Sequence, residues 1–146
     1  MRLAATLGVL VLAAGCGIPS FNAPDWITNR QPLPSCGEEI VVGGDGTNEA
    51  ARRCMLTAFV EGMGAEMIST VTTVEGDPVV RYIRVHENGT VELFIDASRD
   101  QHSASNWQRL RCEALVPVAE INDPPDLVFP ESDIFVEDGC EPQPLP

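Results

Sequence analysis

The sequence predicts an α+β domain: one helix packed on a mostly antiparallel four-stranded sheet and held by two disulfides. Residues 48–63 carry apolar side chains at three- and four-residue spacings, which is typical of an amphipathic helix. Several runs rich in β-branched residues follow, separated by turn sequences, which indicates strands joined as hairpins. Four cysteines remain once Cys16 is assigned to an N-terminal export signal, and an even number in an exported chain predicts two disulfides.

The predicted helix begins beside Thr47 or Asn48, either of which can cap its first turn, and Gly62 and Gly64 mark its end. Arg52 lies off the apolar stripe. The stripe itself consists of Ala51, Cys54, Met55, Ala58, Phe59 and Met63. We therefore expect the helix to bury this stripe against the sheet.

Four strands are expected after the helix. Residues 66–74 are rich in β-branched side chains, the turn sequence EGDP follows, and residues 79–86 form the second strand. Asn88 and Gly89 then form the turn of a second hairpin, because both residues tolerate positive φ. A polar loop leads to the fourth strand, near residues 107–116. The third strand alternates, and one of its faces carries Val91, Leu93 and Ile95.

The disulfide pairing follows from the expected packing of the helix on the sheet. Cys54 lies on the buried stripe of the helix and Cys112 lies on the apolar face of the fourth strand. Packing these two faces together favours a Cys54–Cys112 bond, which leaves Cys36 to pair with Cys140. The sequential pairing, Cys36 with Cys54 and Cys112 with Cys140, is the main alternative. Each bond is expected to contribute about 2 to 4 kcal/mol.

The N-terminus has the pattern of a secretory signal peptide, with one positive charge at Arg2, an apolar run and small residues before Cys16. The apolar run of about 12 residues is too short to span ~30 Å of hydrocarbon as a helix. The ending LAAGC resembles the lipobox of bacterial lipoproteins, in which the cysteine is acylated, with palmitate for example, and the chain is cut before it. This resemblance implies that residues 1–15 are removed and that Cys16 anchors the protein to the extracytoplasmic face of the cell membrane.

The mature chain is expected to have two parts. Residues 16–34 hold the lipidated cysteine and a proline-rich tether, and residues 35–146 form a single domain with an acidic, proline-rich C-terminal segment. Within the tether, Trp26 docks either on the domain or on the membrane interface, and the sequence leaves both interpretations open.

The composition is strongly acidic. The chain has nine arginines, no lysine and 22 acidic residues, which gives a formal net charge of −13. A chain with this charge repels nucleic acid, so no nucleic-acid partner is expected. After Arg111 the chain holds acidic residues and prolines but no basic residue. Apolar residues interrupt this segment and predict one or two short edge strands, with Cys140 holding the end. They are Leu127, Val128, Phe129, Ile134, Phe135 and Val136.

Four features of the chain occur in a fixed order: AARRC at residues 50–54, TTVEGDPVV at 72–80, DASRD at 96–100, and Trp107 followed by Cys112. Together they resemble a family of small bacterial secreted proteins and lipoproteins of unknown function, with a T-x-E-G-D-P strand turn and a later D-x-S/T-R-D loop. The similarity covers residues 48–112. The resemblance implies export and a compact α+β domain, and it carries no known activity and no catalytic residue.

The stretch GGDGTNE at residues 43–49 looks like the nucleotide-binding turn of diacylglycerol and NAD kinases, in which a strand runs into a glycine-rich loop and then a helix. Those kinases need a large fold on both sides of the turn, and here only the tether precedes it. The chain also has no lysine to meet a phosphate. A flexible approach to the helix cap explains the same residues, so kinase activity is not expected.

Calcium binding is a second chemical hypothesis. Asp96, Ser98 and Asp100 stand at alternate positions, as oxygen ligands do in calcium loops. Positions six and twelve of such a loop, glycine and glutamate in an EF-hand, are here Gln101 and Trp107. Local turns and ion pairing explain the loop more simply, so these residues are weak metal candidates and no cofactor is expected.

Hydrolase chemistry is a third hypothesis, with His86, His102, Ser103 and Ser105 as candidates beside several aspartates. The chain contains no G-x-S-x-G motif, and the histidines fall at a strand end and in a polar loop. No catalytic residue is therefore expected.

The sequence thus favours a lipid-anchored extracytoplasmic protein that is not an enzyme and that binds a partner protein at the cell envelope. The first alternative is an accessory lipoprotein that binds calcium or another small ligand. The second alternative is an envelope hydrolase.

Overall fold

The computed structural model describes residues 23–117 and 135–146. The signal peptide over residues 1–15 and the lipidation site Cys16 lie outside the described residues. Within the described part, a mixed six-stranded sheet is covered on one face by a helix and a two-stranded ribbon. This is an α+β arrangement with two disulfides, as predicted, but the sheet has six strands rather than four.

The elements in chain order are α1 Asp25–Thr28, β1 Ser35–Val41, α2 Glu49–Glu61, β2 Ala65–Thr72, β3 Pro78–Val85, β4 Val91–Asp96, β5 Trp107–Cys112, β6 Ala114–Pro117, β7 Phe135–Asp138 and β8 Glu141–Gln143. The main sheet has the order β1-β2-β3-β4-β5-β8, and β6 pairs with β7 as a separate ribbon. β1 runs parallel to β2, and α2 connects them; every other pair is antiparallel.

Two ends of the sheet follow from this topology. The turn between β3 and β4 lies at one end, which we call the hairpin end. The glycine-rich stretch after β1 and the loop between β4 and β5 lie at the other, which we call the glycine-loop end. We call the side of the sheet that packs on α2 the helix face and the opposite side the far face.

The predicted helix is confirmed as α2. The side chain of Asn48 accepts a hydrogen bond from the N–H of Ala51 and caps the first turn, and Gly62 ends the helix in the left-handed conformation. Ala51, Met55 and Ala58 are buried against the helix face, together with apolar residues of β2, β3 and β4. Cys54 and Met63 of the predicted stripe are exposed, contrary to expectation. Burial of the remaining apolar residues is what holds the helix, because an isolated 13-residue helix is marginal in water.

The two predicted hairpins are also confirmed. β2 pairs with β3 in continuous register from Ala65 opposite Val85, and β3 pairs with β4 from Val85 opposite Val91. Gly89 has φ 79° in the tight turn, a conformation that favours glycine. Local turn chemistry therefore sets the register of the central strands.

The strand count was underestimated because two of the additional strands lack a local signal. β1 contains Gly37 and the pair Glu38 and Glu39, residues that are depleted in strands, although Glu39 is buried by partners distant in sequence. β8 is three residues long and pairs with β5 at the edge of the sheet. Of the short strands expected in the C-terminal segment, the one that includes Phe135 and Val136 corresponds to β7, whereas residues 127–129 and Ile134 lie outside the described residues.

The favoured disulfide pairing was wrong, and the sequential alternative is the one present. Cys36 bonds to Cys54, and Cys112 bonds to Cys140. α2 lies over β1 and β2, so three strand spacings, about 14 Å, separate β2 from the strand that carries Cys112. A disulfide spans less than about 7 Å between Cα atoms, so Cys54 bonds to the neighbouring edge strand β1 instead.

The described part of the expected tether is not extended away from the domain. The segment from Ala23 packs on the far face, where Ile27 is buried among Val80, Tyr82 and Phe94. Trp26 lies 5.3 Å from the ring of Phe94 and 5.2 Å from that of Trp107, measured between ring centroids. Of the two interpretations of Trp26, docking on the domain is therefore the one present.

Candidate functional site

A row of alternating charges crosses the far face of the sheet. It consists of Arg30, Glu66, Arg84, Glu92 and Arg109, and we call it the charge ladder. Glu66, Arg84 and Glu92 are direct cross-strand neighbours on β2, β3 and β4. Arg84 is 4% exposed; its Nε lies 2.8 Å from Glu66 and its Nη1 lies 3.4 Å from Glu92. Three arginines and two glutamates leave one positive charge in excess.

The two ends of the charge ladder are held by further ion pairs. Arg30 makes contacts of 2.8 and 2.5 Å with the carboxylate of Glu66, and Arg109 makes contacts of 2.9 and 2.8 Å with that of Glu92. The hydrogen bonds from Arg30 to Glu66 raise the pKa of Arg30 above its ordinary value, although burial acts in the opposite direction. The ladder thus fixes the N-terminal segment to the sheet and holds Arg109 in place.

An open groove lies at the hairpin end of the far face, next to the charge ladder. Two adjoining depressions of about 530 and 430 Å³ meet there, and both are lined by Asn88, Thr90, Arg111 and Gln143. We call these four residues the hairpin groove. His86 lines one side, and its Nε2 lies 3.3 Å from a carboxylate oxygen of Glu92. Strand pairing assembles the groove, because β4, β5 and β8 bring these residues together from distant parts of the sequence.

A buried ionic cluster lies on the helix face beneath the start of α2. Glu39 is 4% exposed and accepts hydrogen bonds from Arg52 at 2.9 and 2.6 Å, from the hydroxyl of Ser69 at 2.7 Å and from the N–H of Asn48 at 3.0 Å. Arg52 is buried together with Glu39, although the sequence predicts that Arg52 lies off the apolar stripe of the helix. Burial of Glu39 alone would raise its pKa, but these hydrogen bonds and the charge of Arg52 outweigh burial and lower the pKa.

This cluster bears on the nucleotide-loop hypothesis. The N-terminus of a helix attracts anions, and here the carboxylate of Glu39 already bonds to the N–H of Asn48 at that position. The glycine-rich stretch folds back on β1 instead: Asn48 donates its side-chain amide to the carbonyl of Glu38. A Cβ on Gly46, which has φ 101°, would lie 2.2 Å from the carbonyl oxygen of Ile40. The loop therefore covers the outer edge of β1.

The three weak metal candidates take part in local turns. Asp96 accepts a hydrogen bond from the N–H of Ser98, and Asp100 accepts one from the N–H of His102. Both are turns in which the side chain of an aspartate satisfies the backbone two residues later. Within residues 23–117 and 135–146, no three His, Cys, Asp or Glu side chains form a group that could hold a metal ion.

The hydrolase candidates lie at opposite ends of the sheet. His86 is at the hairpin end, and His102, Ser103 and Ser105 are in the loop between β4 and β5 at the glycine-loop end. The six residues of β4 separate them by about 17 Å along the strand. The hydroxyl of Ser103 donates to the carbonyl of Ser105 rather than to a histidine. Among the described residues, neither histidine therefore forms the hydrogen bond to a serine hydroxyl that joins a base to its nucleophile.

Comparisons of the chain with models of known protein families, with curated proteins and with solved structures find no match. Among the helices of the described residues, none is both long enough and apolar enough to cross a membrane. The hairpin groove, which sequence reasoning missed, is the candidate site that the geometry supports. Of the groove residues, the sequence draws attention only to Arg111, the last basic residue, and to Asn88 in the hairpin turn. Neither residue indicates that Gln143 lies beside it.

Proposed function

We propose that this chain is a lipid-anchored, extracytoplasmic, non-catalytic binding module of the cell envelope. The observation that carries the proposal is the pairing of the cysteines. The four cysteines after Cys16 form two bonds with one another, which leaves Cys16 as the odd thiol of five. Disulfides persist in oxidising compartments, and a lipid on Cys16 accounts for the remaining cysteine.

The docked N-terminal segment supports an anchor that holds the domain near the membrane. Since the chain is packed on the far face from Ala23 onwards, residues 16–22 alone separate the lipid from the domain. Seven extended residues reach at most about 25 Å. A binding surface on this domain is therefore presented close to the bilayer, and the domain cannot range over the ~50 Å that a full tether would allow.

The resemblance to the family of small secreted proteins and lipoproteins agrees with this proposal. Its turn and loop sequences, EGDP and SRD, lie at the glycine-loop end, whereas the hairpin groove lies at the opposite end. The function we propose for the groove is therefore a property of this chain's own residues and does not derive from the resemblance.

The intact mass of the native protein tests the anchor and the compartment. The protein is extracted from membranes with detergent, and its mass is measured before and after reduction. We expect a chain that begins at Cys16, carries two or three acyl chains and gains four hydrogens on reduction of its two disulfides. A Cys16→Ser variant is the control and should lose the acyl chains while keeping the four hydrogens. An unmodified mass that begins at Met1, with no gain on reduction, would show that the proposal is wrong.

Surface cross-linking on intact cells tests the binding role. The protein should enrich a specific partner above the level captured by an unrelated lipoprotein of similar abundance. Equal capture by the two proteins would contradict a binding role for this domain.

A further inference from the structure

We propose that the hairpin groove binds the carboxylate of a peptide through the guanidinium of Arg111. This inference rests on the proposed function, because it names the ligand class of the binding module.

Arg111 differs from most arginines of the chain in its surroundings. Six arginines of the described residues lie within 4.0 Å of a carboxylate: Arg30, Arg52, Arg53, Arg81, Arg84 and Arg109. Arg111 is exposed, and among the described residues its side chain makes one long hydrogen bond, of 3.5 Å, to the hydroxyl of Thr90. Its guanidinium therefore retains donors that can bind a carboxylate in the bidentate geometry that arginine favours.

The neighbouring side chains of the groove supply further donors. The side-chain oxygen of Asn88 accepts from the N–H of Thr90, which leaves its amide nitrogen to donate to a ligand. Gln143 comes from β8 and stands directly opposite Arg109 in the strand register. Its amide nitrogen makes one long hydrogen bond, of 3.5 Å, to the carbonyl of Glu141, which leaves its second N–H to donate to a ligand. The side-chain amides of Asn88 and Gln143 are neutral donors that line the same groove as Arg111. They can donate hydrogen bonds to the second carboxylate oxygen of the ligand and to its adjacent peptide group.

The charges around the groove favour a ligand with a single negative charge. Glu92 lines the groove and stands opposite Arg111 in the register of β4 and β5, but it is already bound by Arg84 and Arg109, and the charge ladder has one positive charge in excess. Glu141 of β8 stands directly opposite Arg111 in the strand register, and Glu113 lines the same depression; among the described residues no ion pair within 4.0 Å joins either carboxylate to Arg111. These two carboxylates repel a dianion about twice as strongly as a single carboxylate. One carboxylate followed by neutral amides, as at the end of a peptide, matches this arrangement better than a dianion.

Nuclear magnetic resonance titration of the full protein in detergent, with both disulfides formed, tests the inference. The probes are acetyl-Ala-Ala with a free carboxylate, the same peptide as its amide, and inorganic phosphate. We expect the acid to shift the backbone amides of Asn88, Gly89, Thr90 and Gln143, and to bind at least tenfold more tightly than the amide or phosphate. A charge-assisted hydrogen bond supplies a difference of about this size.

The matched variants are Arg111→Gln and Arg99→Gln. Arg99 is exposed and has no carboxylate within 4.0 Å among the described residues, but it lies at the glycine-loop end, away from the groove. Arg111→Gln should bind the acid as weakly as wild type binds the amide, and Arg99→Gln should bind it as wild type does. Equal shifts from acid and amide, tighter binding of phosphate, or equal losses in the two variants would each overturn the inference.

The same variants separate this inference from the proposed function. If the acid does not bind while wild type and Arg111→Gln capture the same partner in surface cross-linking, the groove assignment is wrong and the binding module stands. If no partner is enriched but the acid binds through Arg111, the groove assignment stands and the role in binding an envelope protein is wrong.

Discussion

Glu39 and Arg52 form a two-contact ion pair that is buried beneath the first turn of α2, where it joins the edge strand β1 to the helix. Ser69 from β2 completes the cluster, so three elements of the parallel β-α-β unit meet at one carboxylate. The carboxylate of Glu39 accepts hydrogen bonds from Arg52, Ser69 and Asn48. A buried charge is tolerated when it is paired and hydrogen-bonded in this way.

The first prediction concerns the loss of this carboxylate. Glu39→Gln keeps the shape of the side chain but removes the negative charge that the buried guanidinium of Arg52 contacts at 2.6 and 2.9 Å. Breaking a buried ion pair in this way costs about 3 to 5 kcal/mol of the free energy of unfolding. The measurement is urea unfolding followed by circular dichroism.

The adjacent Glu38→Gln is the control, because Glu38 is exposed, and it should change the free energy of unfolding by no more than about 0.5 kcal/mol. Equal losses in the two variants would mean that Glu39 is not buried as described.

The second prediction is the pH dependence of the same pair. The pKa of Glu39 is lowered from its ordinary value of 4.5, so its contribution to stability is complete above the pKa of the unfolded chain. As the pH falls through the lower pKa of the folded state, Glu39 is protonated and the contribution is lost. The stability difference between wild type and Glu39→Gln should therefore be largest near pH 7 and should shrink below about pH 4.5. A difference that stays constant from pH 7 to pH 2 would contradict the lowered pKa.

Local signals in the sequence were sufficient for α2 and for the two central hairpins. The capping residue Asn48, the apolar stripe and the Asn88-Gly89 turn each act within a few residues, and their effects do not depend on the rest of the fold. Consistency among such local signals is what makes these elements predictable.

The remaining features depend on contacts between distant parts of the chain. β1 is stable as a strand because Arg52 neutralises Glu39, and the pairing of Cys54 depends on which strand lies under α2. The hairpin groove depends on β8 pairing with β5, which puts Gln143 opposite Arg109. No periodicity or turn residue records such contacts, so the site could not be predicted although its fold class could.

The third prediction concerns the docked N-terminal segment. Ile27 is 1% exposed among the aromatic side chains of the far face. Ile27→Ala should lower the free energy of unfolding by about 2 to 5 kcal/mol, the cost of removing a large buried aliphatic side chain. Thr28→Ala, at the adjacent exposed position, is the control and should lose less than about 0.5 kcal/mol. If both variants unfold at the same urea concentration as wild type, the segment is a tether after all.

The fourth prediction separates two glycines of the GGDGTNE stretch. Gly43 and Gly46 both have positive φ, 59° and 101°, so alanine is strained at either position. Nothing lies within 4 Å of a Cβ at Gly43, whereas a Cβ at Gly46 would lie 2.2 Å from the carbonyl oxygen of Ile40. Gly43→Ala should therefore cost about 1 to 2 kcal/mol. Gly46→Ala should cost at least about 2 kcal/mol more, because the loop must move off the edge of β1.

Thermal and urea unfolding of the two variants measure this difference. Equal destabilisation would show that the loop does not cover β1, and the stretch would again be open to interpretation as a nucleotide loop.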